Sequence, residues 1–310
     1  MKPKVLVAGH RGLVGSAIVR ALRYSGIDNL ILRTRQELDL LDAGKVEALF
    51  RDEKPDWVFM AAAKVGGIHA NSTYPYEFLF ENLQIQNNLF EAAKKHKTRK
   101  VMFLGSSCIY PKMCPQPMKE SDLLTGPLEP TNEPYAIAKI TGIKMAAALH
   151  REFGMDAFSV MPCNLYGLND NYHPQNGHVI PMLIRRFHEA KNQNAPRIEM
   201  WGSGRPLREF LFADDLGEAC VYLMQNKSAP EIGDFINVGS GSEITIRDLA
   251  ELIRETVGYR GELTNDTSKP DGTPRKLMDS SKMKALGWEA KTSLAEGLKI
   301  AYADFLKRGL

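Results

Sequence analysis

The 310-residue sequence predicts an α/β fold in which a doubly wound parallel sheet is joined to a smaller α/β domain. Three observations predict it. Short apolar runs alternate with longer stretches of helical period through the first half of the chain. The first of these runs, Val5-Leu-Val-Ala8, leads directly into a glycine trio and then an amphipathic segment. Beyond Pro162-Cys-Asn-Leu-Tyr-Gly167 the texture changes to polar loops and shorter elements. The expected division is a nucleotide-binding domain over 1–165, with segments near 213–240 returning to it, and a smaller substrate-binding domain made mainly of 166–310.

In chain order, Val5–Ala8 reads as a strand and Ser16–Tyr24 as the helix that follows the glycines. Asn29–Leu32 is a second strand and Asp56–Ala63 a third. Tyr76–His96 is a helix carrying Phe78, Leu79, Leu83, Leu89, Phe90 and Ala93 as its apolar residues. The basic run Lys94–Lys100 that follows suits a helix C-terminus, where cations complement the dipole. Val101–Leu104 is the next strand, Tyr135–Phe153 a helix and Phe158–Met161 a strand. Then come a polar loop over Asn169–His178, a helix over Val179–Lys191 and a loop with two guanidiniums over Trp201–Phe210. A helix over Asp215–Asn226 capped by Asp214, a strand over Phe235–Val238, a helix over Ile246–Val257 and a basic loop over Lys269–Lys276 complete the reading.

Composition narrows the class. Hydrophobic residues make up 44% and charged residues 25%, as in soluble globular chains, and a net charge of +3 implies no nucleic-acid surface. Cys108, Cys114, Cys163 and Cys220 show no metal-binding spacing, so free thiols in a reducing, cytoplasmic compartment are expected, with no metal. No apolar run reaches membrane-spanning length and no signal segment opens the chain, so no membrane partner is expected.

The glycines at 9, 12 and 15 sit where a strand turns into a helix, the place where backbone N–H groups receive a pyrophosphate. Their GxxGxxG spacing meets the dinucleotide fingerprint in part and predicts a Rossmann-type sheet. The second strand ends in Arg33-Thr-Arg35 rather than in a carboxylate, which favours a 2′-phosphate and hence NADP(H), with Arg11 as a third cation.

Glu133-Pro-Tyr-Ala-Ile-Ala-Lys139 places a phenol and an ammonium one turn apart at the start of a helix, with Pro134 in its first turn. An ammonium beside Tyr135 is expected to draw its pKa down toward working pH, so that the phenol exchanges a proton at a carbonyl while hydride moves. Gly105-Ser-Ser-Cys-Ile-Tyr-Pro111 follows a strand, where a hydroxyl can share the charge on a carbonyl oxygen; Ser106 and Ser107 both meet that spacing. Trp201 and Arg208 suit a nucleoside diphosphate.

Together the glycine trio, Ser106…Tyr135-x-x-x-Lys139, the Pro162–Gly167 turn and Arg208-Glu-Phe…Asp214-Asp215 resemble the extended short-chain dehydrogenase/reductases over the whole chain. Ala61–Gly67, Glu129–Tyr135, His178–Pro181, Trp201–Gly204 and Lys269–Lys276 are similar to the branch that epimerises and reduces GDP-4-keto-6-deoxy-D-mannose. The resemblance implies a bifunctional enzyme, an NADPH-dependent oxidoreductase and 3,5-epimerase, acting on a GDP-sugar as a homodimer built on the helices near 76–96 and 135–153. It implies Ser106, Tyr135 and Lys139 as reductase residues and Cys108 and His178 as the proton-transfer pair. It places the cofactor on Gly9, His10, Arg11, Gly12, Leu13, Val14 and Gly15, and on Arg35, Gln36, Glu37, Leu38, Asp39 and Leu40. Leu104, Gly105, Ser106, Ser107, Lys139, Pro162, Cys163, Asn164, Leu165 and His178 complete that set, and Arg186, Trp201, Arg208 and Asp271 would hold the nucleotide-sugar. Two rivals stand beside this: a nucleotide-sugar 4-epimerase or 4,6-dehydratase holding NAD, and a non-catalytic NADP-sensing regulator. The dehydratases carry glutamate where this chain has Cys108.

Overall fold

A computed structural model of the chain describes residues 2–174, 177–269 and 271–309, so Gln175 and Asn176 of the polar loop and Pro270 of the basic loop lie outside the described residues. The first half alternates β1 (Val5–Ala8), α1 (Leu13–Tyr24), β2 (Leu30–Ile31), α2 (Ala43–Glu53), β3 (Trp57–Met60), α3 (Ile68–Thr73), α4 (Pro75–Lys95), β4 (Lys100–Leu104), α5 (Glu133–Phe153) and β5 (Asp156–Pro162). The second half runs β6 (Asn164–Tyr166), α6 (Val179–Asn192), β7 (Arg197–Trp201), β8 (Leu207–Phe212), α7 (Ala213–Asn226), α8 (Ala229–Ile232), β9 (Phe235–Val238), β10 (Glu243–Thr245), α9 (Ile246–Val257), β11 (Glu262–Asp266), β12 (Arg275–Lys276), α10 (Ser281–Ala285) and α11 (Leu294–Lys307).

The main sheet has six strands in the order β2-β1-β3-β4-β5-β9, all parallel. β3 and β4 are buried at every residue, as strands covered on both faces must be. The helices form two packed groups, α1 with α7 and α2 with α4 and α5. Connections leave β1 in one direction toward β2 and then cross to β3, so the topological switch falls between β1 and β3, where ligands bind in doubly wound sheets. Gly9 makes that crevice tight. Its φ of +85° is a left-handed conformation, and a Cβ there would lie 2.7 Å from the backbone nitrogen of Ala62, just beyond β3.

The rest is built on β8. It pairs with β6 and β12 in parallel and with β10 antiparallel, while β7 and β11 form a separate parallel pair. A second apolar core, including Tyr166, Ile184, Phe187, Leu249, Ile253, Leu298 and Phe305, lies among these strands and α6, α9 and α11. The later segments α7 and β9 return to the main sheet and its core.

Several expectations are corrected. α1 begins at Leu13 rather than Ser16, because Gly12 itself takes the N-cap conformation. Asp214 is no cap. Phe212 occupies that position, and Asp214 lies in the first turn, where it binds Arg20 of α1 at 2.5 and 3.0 Å. Its neighbour Asp215 is buried and accepts from the Lys291 and Thr292 backbones. Trp201–Phe210, expected as a loop, is loop only over 202–206 and strand at both ends: Trp201 ends β7, and Arg208 sits inside β8. Among the described residues, no helix is long and apolar enough to cross a membrane, and no cluster of three His, Cys, Asp or Glu could hold a metal ion.

Candidate active site

A cleft of about 1140 Å³ opens beyond the carboxyl ends of β1, β3, β4 and β5. Gly9 through Gly15, Arg35, Gln36, Leu38, Asp39, Leu40, Leu104 through Ser107, Tyr135, Lys139, Pro162 through Leu165 and His178 all line it. Glu37 does not; its carboxylate turns back to accept the Thr34 backbone N–H at 2.7 Å, and that bond holds its pKa down. Arg33, Arg35 and Arg11, offered by the sequence as phosphate ligands, all line the cleft, and the Arg33 guanidinium also pairs with Glu53 at 2.8 Å.

The floor fits a dinucleotide. α1 starts at Gly12 with no side-chain cap, leaving its first N–H groups for an anion. A Cβ on Gly15 would stand 2.1 Å from the Gly9 carbonyl oxygen, so only glycine lets the turn close. His10, in the same turn, has a buried Nδ1 with no hydrogen-bond partner among the described residues, a polar atom a ligand would satisfy.

Tyr135 and Lys139 leave α5 on one face, as their spacing predicts. Lys139 is buried, donates to the Leu104 carbonyl at 2.7 Å, and lies 5.7 Å from the Tyr135 ring centroid. Phe78 of α4 meets the Tyr135 ring edge-on at 6.2 Å. The protonation states differ from the simple expectation. Burial, and then the negative charge available to Cys108, push the Tyr135 pKa up, while hydrogen bonding to Ser106 opposes them. Burial pushes Lys139 down to about 8, with Cys108 pulling it back. Desolvation thus sets the state of the phenol, and Tyr135 stays a protonated donor at neutral pH.

Ser106 is the hub. It caps the short 3-10 turn Ser107–Ile109, its Oγ accepting the Cys108 N–H at 3.5 Å, and its hydroxyl favours the ionised forms of both Tyr135 and Cys108. The sequence could not choose between two adjacent serines; the turn aims Ser106 at the phenol. Cys108 is half-buried, and burial raises its thiol pKa against the pull of Ser106, Lys276 and Lys139. His178 precedes α6 in the N-cap position, lines the cleft, and is pushed down by burial, so its imidazole is neutral.

The four residues expected to hold the nucleotide-sugar lie outside the cleft lining. Trp201 is 74% exposed at the end of β7, with the Lys269 ammonium 5.7 Å from its ring centroid. Asp271 accepts the Ser203 N–H at 2.8 Å and hydroxyl at 2.6 Å, closing the turn after Trp201. Arg186 donates to the Glu199 carbonyl at 2.6 Å, and burial lowers the pKa of Arg208. Sequence reading gave no role to Lys276, although it lies in the basic loop singled out above. It faces Arg208 across the β12–β8 pairing.

A doubly wound sheet with a glycine turn, a serine and a Tyr-x-x-x-Lys helix meeting in one cleft defines an extended short-chain dehydrogenase/reductase. The chain belongs to the NAD dependent epimerase/dehydratase family, whose sequence model matches residues 5–239. Within it the chain falls among the GDP-L-fucose synthases. It is 59% identical to GDP-L-fucose synthase 1 of Arabidopsis thaliana over 304 residues, 98% of this chain and 93% of the relative. It is 53% identical to the GDP-L-fucose synthase of Escherichia coli (strain K12) over 313 residues, 99% of this chain and 97% of the relative. A GDP-mannoheptose C4 reductase from Campylobacter jejuni with NADP bound matches its structure with a TM-score of 0.92 and 35% identity, covering 98% of each chain.

Proposed function

We propose that this chain converts GDP-4-keto-6-deoxy-D-mannose to GDP-L-fucose with NADPH, by epimerisation at C3 and C5 followed by reduction at C4. One observation carries the reading: Ser106, Tyr135, Lys139 and His178 line the dinucleotide cleft together, and the Ser106 hydroxyl accepts the Cys108 N–H beside it. The C4 ketone acidifies the hydrogens on C3 and C5. Cys108 and His178 take and return those protons; at rest the thiol is protonated and the imidazole neutral, so the pair holds one transferable proton and one open acceptor. Ser106 and Tyr135 donate to the C4 oxygen and stabilise the enediolate. NADPH, when bound, supplies the hydride for C4. Tyr135 then gives its proton to the C4 oxygen, and Lys139 supports the phenolate left behind.

The cofactor rests on Gly9–Gly15, Arg35–Leu40 and Leu104–Ser107, with Arg33, Arg35 and Arg11 toward the 2′-phosphate; Glu37 would contribute by shaping its turn. Arg186, Trp201, Arg208 and Asp271 receive the GDP-sugar. We place the division between the two domains near residue 165, with 213–240 returning to the first. The chain works as a cytoplasmic homodimer through α4 and α5; the stacked Tyr76 and Phe80, 5.6 Å apart, and Ile137 and Phe153 support this by leaving apolar surface exposed on those helices.

The test follows NADPH oxidation and solvent deuterium entry at C3 and C5 with GDP-4-keto-6-deoxy-D-mannose, and with UDP-glucose as control. Stoichiometric oxidation with the GDP-sugar alone is expected. Cys108→Ser should lose deuterium exchange far more than reduction of an already epimerised ketosugar. Equal loss of both steps, or turnover with UDP-glucose, would reject the assignment.

A further inference from the structure

The segment that follows the basic loop lies between two parts of the site. β12 pairs with β8 so that Lys276 stands opposite Arg208. Beyond it the chain is fastened to the loop that carries Cys108. The Leu277 N–H donates to Gln116 Oε1 at 2.8 Å, the Met118 N–H to the Leu277 carbonyl at 2.8 Å, and the Asp279 N–H to the Met118 carbonyl at 2.8 Å. The Met278 N–H donates to the buried carboxylate of Glu209 at 3.0 Å, which ties the same segment to β8. Asn237, fully buried on β9, locks the arrangement. Its Oδ1 accepts the Tyr110 hydroxyl at 2.6 Å, and its Nδ2 donates to Met118 and Asp279 carbonyls at 3.1 and 3.3 Å. Tyr110 is two residues past Cys108, so the sulfur and Lys276 are referenced to one rigid hub.

We propose that Lys276 is a positioning residue for proton transfer at Cys108: β12 fixes it on the segment fastened to the Cys108 loop, so that its ammonium supports the thiolate whenever the thiol has given up its proton. Among the described residues, the side chains that act on the sulfur come from three places. Ser106 comes from its own turn, Tyr135 and Lys139 from α5, and Lys276 from β12. Lys139 is committed to the Leu104 carbonyl. Burial lowers the Lys276 pKa, and the charge on Cys108 is the largest influence raising it back, ahead of Glu129, with Arg208 on β8 opposing. The pairing is therefore mutual, and Lys276 is the larger of the two lysine contributions that favour ionised Cys108.

The inference deepens the proton-transfer role proposed above for Cys108, and its test needs no sugar. Alkylation of Cys108 by iodoacetamide in the intact chain is followed against pH, with the modified peptide read by mass spectrometry; the other three cysteines are buried. Lys276→Met should move the alkylation midpoint upward by about one pH unit, making the reaction about tenfold slower below it, because the thiolate has lost an opposite charge. Lys276→Arg should stay near wild type. An unmoved midpoint in Lys276→Met overturns the proposal. The reciprocal arm uses Cys108→Ser, which keeps the lysine: the Lys276 ammonium, titrated by NMR after reductive ¹³C-methylation, should lose its proton at lower pH than in wild type. No movement there overturns the proposal even if Lys276→Met does not fold. Failure of the catalytic role of Cys108 shows instead as unchanged deuterium exchange in Cys108→Ser.

Discussion

Removing the Lys139 ammonium should change how the stability of the protein depends on pH. Lys139 is 4% exposed, and burial pushes its pKa from 10.5 down to about 8. Between those values the unfolded chain binds a proton that the folded chain has released, so this group makes stability rise with pH across the window. At neutral pH, folding with the charged lysine costs about 3 kcal/mol relative to an unshifted group. Between about pH 7 and about pH 9.5 that cost falls by about 2 kcal/mol. Lys139→Met carries no such proton. Urea unfolding of both proteins through this range isolates the effect, because most other titrating groups are common to both. Wild-type stability minus variant stability should grow by about 2 kcal/mol as pH rises. A difference that stays flat, or shrinks, would refute the claim that burial, rather than ion pairing, sets the state of Lys139.

Two further outcomes are expected. In Gly142→Ala the added methyl would sit 2.2 Å from the Phe103 ring, in the contact between α5 and β4. Urea unfolding should show a loss of about 1–3 kcal/mol, as for other overpacked cores. Arg35→Ala should raise KM for NADPH about tenfold or more while leaving KM for NADH nearly unchanged, as initial rates with each cofactor would show, since a charge-assisted phosphate contact is the one removed.

How much of this was legible beforehand follows from where each signal is stored. β1, β3, β4 and β5 were readable because strands covered on both faces carry near-continuous apolar runs. α9 was readable at both ends, Ile246 to Val257, because Thr245 caps it and Gly258 turns it left-handed. The strands around β8 were not. They are short, and their partners are remote: Arg208 pairs with Ile244 on one side and Lys276 on the other. Asp214 was misread for a related reason. Just before an apolar helical pattern, a carboxylate looks like a cap, and only the approach of α1 shows that it answers Arg20.

The site divides in the same way. The glycine turn, the Tyr135–Lys139 spacing and the choice of serine, cysteine and histidine are local chemistry, and the order of residues along the chain determined them. Which serine caps the turn at Cys108, whether Tyr135 and Lys139 carry charge, and that Lys276 stands opposite Arg208 were decided by tertiary structure. Desolvation depends on which distant segments cover a group, and no spacing along one helix records that.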